Sequence, residues 1–507
     1  MVSLRLVMDS TALSAADDSA VPVRPAASAM TCGMAVRPMV LGYVVVASCL
    51  SALLGYDIGI MSGAKIKIQE DPAVTVTDHQ VELMVGILNL ASAPGALASG
   101  HFADVIGRKK TMALACVVCI AGSALMATAS GFGGIFFGRI VAGIGVGFGM
   151  QIAPLYIAEV SPKSLRGALV GFFELSINTG LLLGYISSWL LSDLPPSDAW
   201  RSMLGIGIVP PAFILLGLLR MPESPRWLVQ SGREAEARQV LATVYEAAEA
   251  DEAIATLAEE VETSHLSFAE VVKTLRNATP AVKQMLIIGV GNSFFQQASG
   301  QEAAVYYTPE VLRIAGVAED HLFTATIGIG LVKVLFIIVA MGLLDKTGRR
   351  PLLILSAGGL ALCQFLIGTS FALGGVPWLS ILAQCCFMAF FSIGYGPVFT
   401  VLASEIFSLR IRGVGMGLSM CANRFASGTV SGTFLSLNEM LTPAGTFYFF
   451  TVIALIGLWF SVKYVPETKG KSLEEIEIEL TRGAEQPSGG AAAQPGQPEG
   501  GAKEGVP

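Results

Sequence analysis

A polar pattern that occurs twice constrains this chain more than any other feature. Asp104-Val105-Ile106-Gly107-Arg108-Lys109 returns 241 positions on as Asp345-Lys346-Thr347-Gly348-Arg349-Arg350. Glu159, with Arg166-Gly167 seven residues later, returns 246 positions on as Glu405 with Arg412-Gly413. Pro222-Glu223-Ser224-Pro225 returns 244 positions on as Pro466-Glu467-Thr468-Lys469-Gly470. Three unrelated motifs at nearly one offset imply two homologous halves, so the fold should carry an internal pseudo-symmetry.

Composition sets the medium in which the halves fold. With 53% hydrophobic and only 14% charged residues and a mean hydropathy of +0.64, the chain departs from soluble domains, and its apolar runs can cross a bilayer core of roughly 30 Å. Twelve spans are predicted near 39–63, 81–101, 112–130, 133–155, 168–191, 201–219, 284–306, 322–344, 351–373, 378–402, 413–436 and 445–464. The expected fold class is an all-α membrane protein with twelve transmembrane helices in two six-helix halves. Its expected divisions are an N-tail (1–38), the first half (39–221), a helical linker (222–283), the second half (284–465) and a C-tail (466–507), of low complexity from 483. A net charge of −7 with no basic stripe gives no case for a nucleic-acid partner.

Orientation comes from the short loops. Those with Lys109, Lys110, Lys163, Lys346, Arg350 and Arg410 lie on one side, whereas the opposite loops near 131–133 and 374–377 carry no Lys or Arg. The positive-inside rule therefore predicts both termini in the cytosol, and with them the linker. No cleavable secretory signal is read in residues 1–38. Asn277-Ala278-Thr279 matches a glycosylation sequon that this topology keeps from use. Of the eight cysteines, all but Cys32 fall in apolar runs. Cys116/Cys119 and Cys385-Cys386 are read as helix packing rather than a metal site, since no His accompanies them. No cofactor is implied.

Six ionisable residues fall within spans: Asp57, Arg139, Glu174, Glu302, Lys333 and Arg424. A charge at the bilayer centre costs at least about 3 kcal/mol, so each should face a cavity or a partner. Two homologous membrane halves with polar groups at mid-depth are the arrangement expected of a solute transporter. Asp57 and Arg139 each lie about six positions from the outer ends of their spans, roughly 9 Å deep, and can meet there. An acid under the opposed influences of burial and a neighbouring Arg suits proton coupling; a fixed ion pair that pins two helices is the alternative.

The seventh span is interrupted by Gln296-Gln297-Ala298-Ser299-Gly300-Gln301-Glu302, followed by Tyr306 and Tyr307. Amides both donate and accept, as sugar or polyol hydroxyls require, Gly300 permits a local break, and the Tyr rings can cover an apolar sugar face. Helix packing by the two Gln residues is the competing use.

These residues together resemble the sugar porter family of the major facilitator superfamily over residues 39–480. The resemblance is carried by Gly55-Tyr56-Asp57-Ile58-Gly59, Gly138-Arg139, Pro154-Leu155-Tyr156-Ile157-Ala158-Glu159, Pro222 to Leu228, Phe295 to Gly300 and Pro466 to Gly470. Glu174, an acid at 302, Lys333 and Asn423-Arg424 are most similar to the plant-type polyol/monosaccharide proton symporters. The resemblance implies a major facilitator fold, Asp57 as proton acceptor with Arg139 its partner, and a central substrate site lined by positions 174, 296, 297, 302, 333, 400 and 423. It also assigns Asp104, Arg108, Glu159, Arg166, Asp345, Arg349, Glu405 and Arg412 to cytosolic networks that lock an outward-facing state. Thr400 stands where the family commonly has Trp, with Phe399 and Tyr395 the candidates to replace that aromatic floor.

The expectation is therefore a monomeric, proton-coupled importer of polyols or monosaccharides at the plasma membrane, working by alternating access. A facilitative sugar or polyol uniporter is the first rival, disfavoured by Asp57. A transporter-like sensor would carry a longer cytosolic tail, and an enzyme would need a nucleophile and base, of which no constellation is seen.

Overall fold

The computed structural model describes residues 38–161, 166–244, 253–257, 276, 278–408, 411–471, 475–476 and 478–480. The predicted N-tail, the low-complexity end, Asn277, Cys32 and the side chains of Arg166 and Asp345 lie outside the described residues.

The first half consists of α1 (Pro38–Glu70), α2 (Asp78–Ile106), α3 (Arg108–Ala127), α4 (Phe132–Val160), α5 (Arg166–Leu190) and a sixth span split into α6 (Pro196–Ile206) and α7 (Val209–Arg220). Two short helices follow, α8 (Pro225–Gln230) and α9 (Glu234–Val244). The second half repeats the plan. Its first span is broken into α10 (Pro280–Ala298), α11 (Gln301–Tyr306) and α12 (Thr308–Ile314), after which come α13 (Glu319–Thr347) and α14 (Arg349–Ala372). The next span divides at Gly394 into α15 (Pro377–Ile393) and α16 (Tyr395–Ile406); α17 (Arg412–Ser431) and α18 (Phe434–Tyr464) complete the bundle. Thr442, ahead of Pro443, has non-helical angles and kinks α18.

Among the described residues nine helical stretches are long and apolar enough to cross a membrane. The three remaining spans are α5, α10–α12 and α17, which hold Glu174, Gln296 to Glu302, and Asn423-Arg424. Large apolar side chains such as Phe213, Leu219, Leu373 and Trp378 stand exposed on the outside, a surface that only a lipid solvent tolerates. The chain is an integral, multi-pass membrane protein.

Helix packing follows the repeat. α1 packs on α5 and α4 on α2 and α3 in the first half, and α14 on α18 and α10 on α17 in the second. Small residues permit close approach: a Cβ on Gly59 would fall 2.3 Å from the Leu181 carbonyl oxygen, and one on Gly184 2.6 Å from that of Tyr56. The halves meet along α2 with α17 and α5 with α13, two contacts that the pseudo-symmetry exchanges. All central residues discussed below lie in or beside these seams.

Candidate functional site

Asp57 on α1 and Arg139 on α4 form an ion pair, with Nη1 2.5 Å from Oδ2. Arg139 is fully buried. Its Nε donates to the Met84 carbonyl at 2.8 Å and its Nη2 to that of Val85 at 3.4 Å, so one guanidinium ties α1, α2 and α4 together. A small cavity of about 30 Å³, lined by Leu53, Tyr56 and Ile60 of α1, Cys119 and Ser123 of α3 and Leu204 of α6, lies beside the Asp57 carboxylate. The equal depth of about six residues read from the sequence needs correcting. α1 runs to Glu70, thirteen residues past Asp57, while Arg139 is seven residues into α4. The apolar window stopped short because Lys65 lies beyond it, but Lys65 is buried and paired with Glu310.

The predicted break in the seventh span is present. Gly300 has φ +86°, between α10 and α11, which places Glu302 in the first turn of α11. Gln296 is held at both ends of its amide: Nε2 donates to the Tyr395 carbonyl at 2.7 Å, and Oε1 accepts from Asn423 Nδ2 at 2.5 Å. Asn423 Oδ1 in turn accepts from Arg424 Nε at 3.0 Å and Nη2 at 2.5 Å. The remaining guanidinium nitrogen of Arg424 lies 3.9 Å from Glu302 Oε1. A hydrogen-bonded chain therefore runs from the α16 backbone through α10 to the Arg424 guanidinium of α17, which stops short of the Glu302 carboxylate.

Lys333 on α13 is 5% exposed and its amine stands 5.2 Å over the Phe391 ring, with no hydrogen bond or ion pair among the described residues. Glu302 and Glu174 are the acids whose field it feels. A carboxylate oxygen of Glu174 comes within 3.9 Å of where a Cβ on Gly396 would sit, so α5 faces the break between α15 and α16. Thr400 spends its hydroxyl on the Pro397 carbonyl at 3.3 Å. The Tyr395 hydroxyl points at Gly457 of α18, which leaves its backbone carbonyl as its contribution to the centre. Gln297 Oε1, Glu302 Oε2, the Tyr306 hydroxyl and the Ser427 hydroxyl are buried without a hydrogen-bond partner among the described residues. Asn89 on α2, which the sequence reading missed, is also buried with both amide atoms unpaired. Its only signal was a lone amide in an apolar window. Each such group costs about 1–3 kcal/mol unless a ligand or water satisfies it, so their concentration marks a polar binding region.

The sugar (and other) transporter family model matches residues 43–480. The chain belongs to that family. It is 44% identical over 462 residues to probable polyol transporter 4 of Arabidopsis thaliana, covering 89% of this chain and 87% of the relative. To polyol transporter 5 of the same plant it is 41% identical over 457 residues, covering 85% and 84%. The glucose transporter GlcP of Staphylococcus epidermidis is 33% identical over 432 residues, covering 84% of this chain and 94% of the relative. Among solved structures, the proton:xylose symporter XylE bound to 6-bromo-6-deoxy-D-glucose superposes with a TM-score of 0.75 at 27% identity, covering 87% of this chain and 99% of that one. A partially occluded, inward-open XylE from E. coli gives 0.75 at 26% identity, covering 85% and 99%. The major facilitator fold and membership of a family of transporters rather than enzymes follow.

The two ends of this transporter are built differently. At the end where α3 and α14 begin, the three repeated motifs prove to be one cluster in each half. Arg108 grips Glu159 with two bonds of 2.9 Å, and Asp104 lies 3.3 Å from the same guanidinium. Glu223 accepts from the backbone N–H of Arg108 at 2.9 Å and of Lys109 at 3.1 Å, while the Ser224 hydroxyl donates to Glu159 at 2.5 Å. The second half matches it: Arg349 to Glu405 at 3.1 and 2.8 Å, Glu467 under the N–H groups of Arg349 and Arg350, and the Thr468 hydroxyl on Glu405 at 2.6 Å. Gly107 and Gly348 have φ +93° and +94°, and a Cβ on either would collide with Glu223 or Glu467. Arg412 opens α17 as Arg166 opens α5 in the other half.

At the far end the described contacts bridge the halves. Lys65 of α1 pairs with Glu310 of α12 and stands 3.7 Å over the Tyr307 ring. Tyr307 stacks on Phe434 at 4.8 Å and donates its hydroxyl to the Ser431 carbonyl at 3.0 Å. The Ser436 N–H and hydroxyl both donate to Glu82, at 2.7 and 2.5 Å, and the Tyr185 hydroxyl donates to the Val305 carbonyl at 2.8 Å. Tyr307 thus belongs to this closure, whereas Tyr306 lies beside Arg139. Lys65, Glu82 and Glu310 were not legible as a closure, since nothing in their spacing shows that they meet.

Proposed function

We propose that this protein is a proton-coupled symporter importing polyols or monosaccharides by alternating access. The observation that carries the reading is the buried Asp57–Arg139 pair, lying inside one half and sharing no hydrogen bond, among the described residues, with the Gln296–Asn423–Arg424–Glu302 group at the centre. Protons are taken by the first and solute hydroxyls by the second, where Gln297 adds an acceptor unpaired among the described residues and Lys333 and Glu174 add charged groups. The polyol transporters among its relatives and the proton:xylose symporter among its structural neighbours support both halves of the statement. The repeated charge clusters brace the cytosolic end of each half and the Lys65–Glu310–Tyr307 group joins the halves at the outer end, so that rocking of the halves parts the outer contacts while each cluster moves with its own half. The chain acts as a monomer in the plasma membrane, with its linker and both termini in the cytosol.

The test is Asp57→Asn. A neutral amide mimics the protonated acid but cannot release a proton, so pH-gradient-driven accumulation is lost while counterflow persists. Undiminished uphill uptake by the variant, measured with counterflow in the same vesicles across a panel of polyols and hexoses, overturns the proton assignment. Equal uptake by the wild type with and without a gradient leaves a uniporter.

A further inference from the structure

The repeat places a second acid where the first one sits. Asp57 and Glu302 are 245 positions apart, the spacing of the duplicated motifs, and each follows a glycine by two residues, Gly55 and Gly300. Each meets an arginine from another helix of its own half, Arg139 at 2.5 Å and Arg424 at 3.9 Å. The arginine has changed helix between the halves. The position 245 beyond Arg139 is Gln384, whose amide donates to the Ala304 carbonyl of α11 at 2.9 Å, and the guanidinium comes from α17 instead.

Geometry leaves the second acid open. Arg139 gives its other nitrogens to backbone carbonyls and reserves Nη1 for Asp57. Arg424 gives Nε and Nη2 to Asn423 and holds Nη1 beyond hydrogen-bond range of Glu302. Glu302 and Arg424 are each 3% exposed, and Glu302 Oε2 and Arg424 Nη1 have no hydrogen-bond partner among the described residues. The groups facing Glu302 are Arg424 and Ser427 of α17, Lys333 of α13, Tyr185 of α5, Tyr306 of its own helix and Asp57 of α1. A proton on Oε2 turns that acceptor into a donor toward the neighbouring Ser427 hydroxyl, and the Arg424 charge it releases stays in the field of Glu174.

We propose that Glu302 is a second proton-binding carboxyl, so that two protons accompany each substrate molecule. Asp57 and Glu302 lie in opposite halves within reach of one another's field, and like charges that approach and part as the halves rock link their protonation to the movement. The proposal rests on the symport reading and extends it to stoichiometry.

The test uses the full-length protein in proteoliposomes with the membrane potential clamped at zero and the best-transported member of the polyol and hexose panel. At a one-unit pH gradient, the substrate gradient that stops net flux is about tenfold for each coupled proton. The wild type should balance at about a hundredfold and Glu302→Gln at about tenfold. A wild type that balances at tenfold overturns the proposal, as does Glu302→Gln at a hundredfold, or a drop to tenfold seen in Glu174→Gln alone. Should Glu302→Gln not transport, substrate binding to purified Asp57→Asn is followed against pH. A residual pH dependence that disappears in Asp57→Asn/Glu302→Gln supports the second site, and identical profiles overturn it. No wild-type accumulation would sink the symport reading itself, and the binding profiles would still decide whether Glu302 takes a proton.

Discussion

In the first half the buried acid lies 2.5 Å from an arginine whose other nitrogens go to the backbone carbonyls of Met84 and Val85. In the second, Glu302 stands 3.9 Å from one already committed to Asn423. The same six-helix plan therefore holds a tight, self-contained ion pair on one side and, on the other, a loose pair wired through Asn423 and Gln296 to the α16 backbone. The first arrangement keeps its charge outside the hydrogen-bonded network at the centre. The second makes the charge responsive to it, because anything that takes a hydrogen bond from Gln296 or Asn423 changes what Arg424 has left to give.

The sharpest way to break this comparison is to remove each arginine. Arg139→Gln leaves a buried carboxylate without its partner and frees two backbone carbonyls of α2, a loss on the order of 3–5 kcal/mol. Arg424→Gln removes only a long ion pair and the donors to one amide, so its cost should be about 1–3 kcal/mol. Thermal unfolding in detergent reads the difference: the first variant should melt well below the second, and gradient-driven uptake should fall by at least about a hundredfold in it. Equal melting temperatures would mean that the two pairs are energetically equivalent and that the 1.4 Å difference in distance carries no weight.

Much of this contrast was legible in advance. A charged residue in an apolar window announces itself, so Asp57, Arg139, Glu174, Glu302, Lys333 and Arg424 could all be named from position alone, and the constant offset gave the two halves. The break at Gly300 was readable because Gly and amides interrupt a hydrophobic run. What escaped were facts of three-dimensional pairing. Lys65 and Glu310 are 245 positions apart and look like ordinary span-flanking charges until α1 and α12 bring them together. The motifs around Glu223 and Glu467 were recognisable as repeats, but their use as caps over the first N–H groups of α3 and α14 depends on how the chain returns after the sixth and twelfth spans. The breaks at Gly207–Ile208 and Gly394 went unread because both flanks are apolar and no polar residue marks them.

The motif clusters sharpen the comparison in the opposite sense, since they share a design and differ in depth. The Arg108 and Glu159 side chains are each 5% exposed, whereas Arg349 is 12% and Glu405 27% exposed. Charge-assisted bonds weaken as water gains access, so Glu159→Gln should cost about 1.5–3 kcal/mol and Glu405→Gln about 1 kcal/mol or less. Melting curves of the two single variants at low and high salt check this, with the salt effect confined to Glu405. A larger loss from Glu405→Gln would show that depth does not rank the two clusters.

The smallest expected effect concerns Glu467, which lies in the segment after α18 and caps α14. Burial opposes its charge, but the backbone N–H groups of Arg349, Lys469, Arg350 and Thr468 outweigh that, holding its carboxyl below the usual glutamate range. A carboxyl depressed in the folded state contributes stability that is complete above the unfolded glutamate value, about 4.3, and is lost as pH falls through the folded value. At neutral pH the wild type should therefore melt above Glu467→Gln, and the gap should stay constant down to about pH 5. Below about pH 4 it should close, because the protonated acid and the amide both lack the negative charge that the four N–H groups favour. The side chain is half-buried and water still screens its charge, so the gap should be modest, a few tenths to about 1 kcal/mol at most. A gap that persists unchanged to the lowest pH at which the protein remains folded would show that Glu467 works through shape alone, and that the cap over α14 does not depend on its charge.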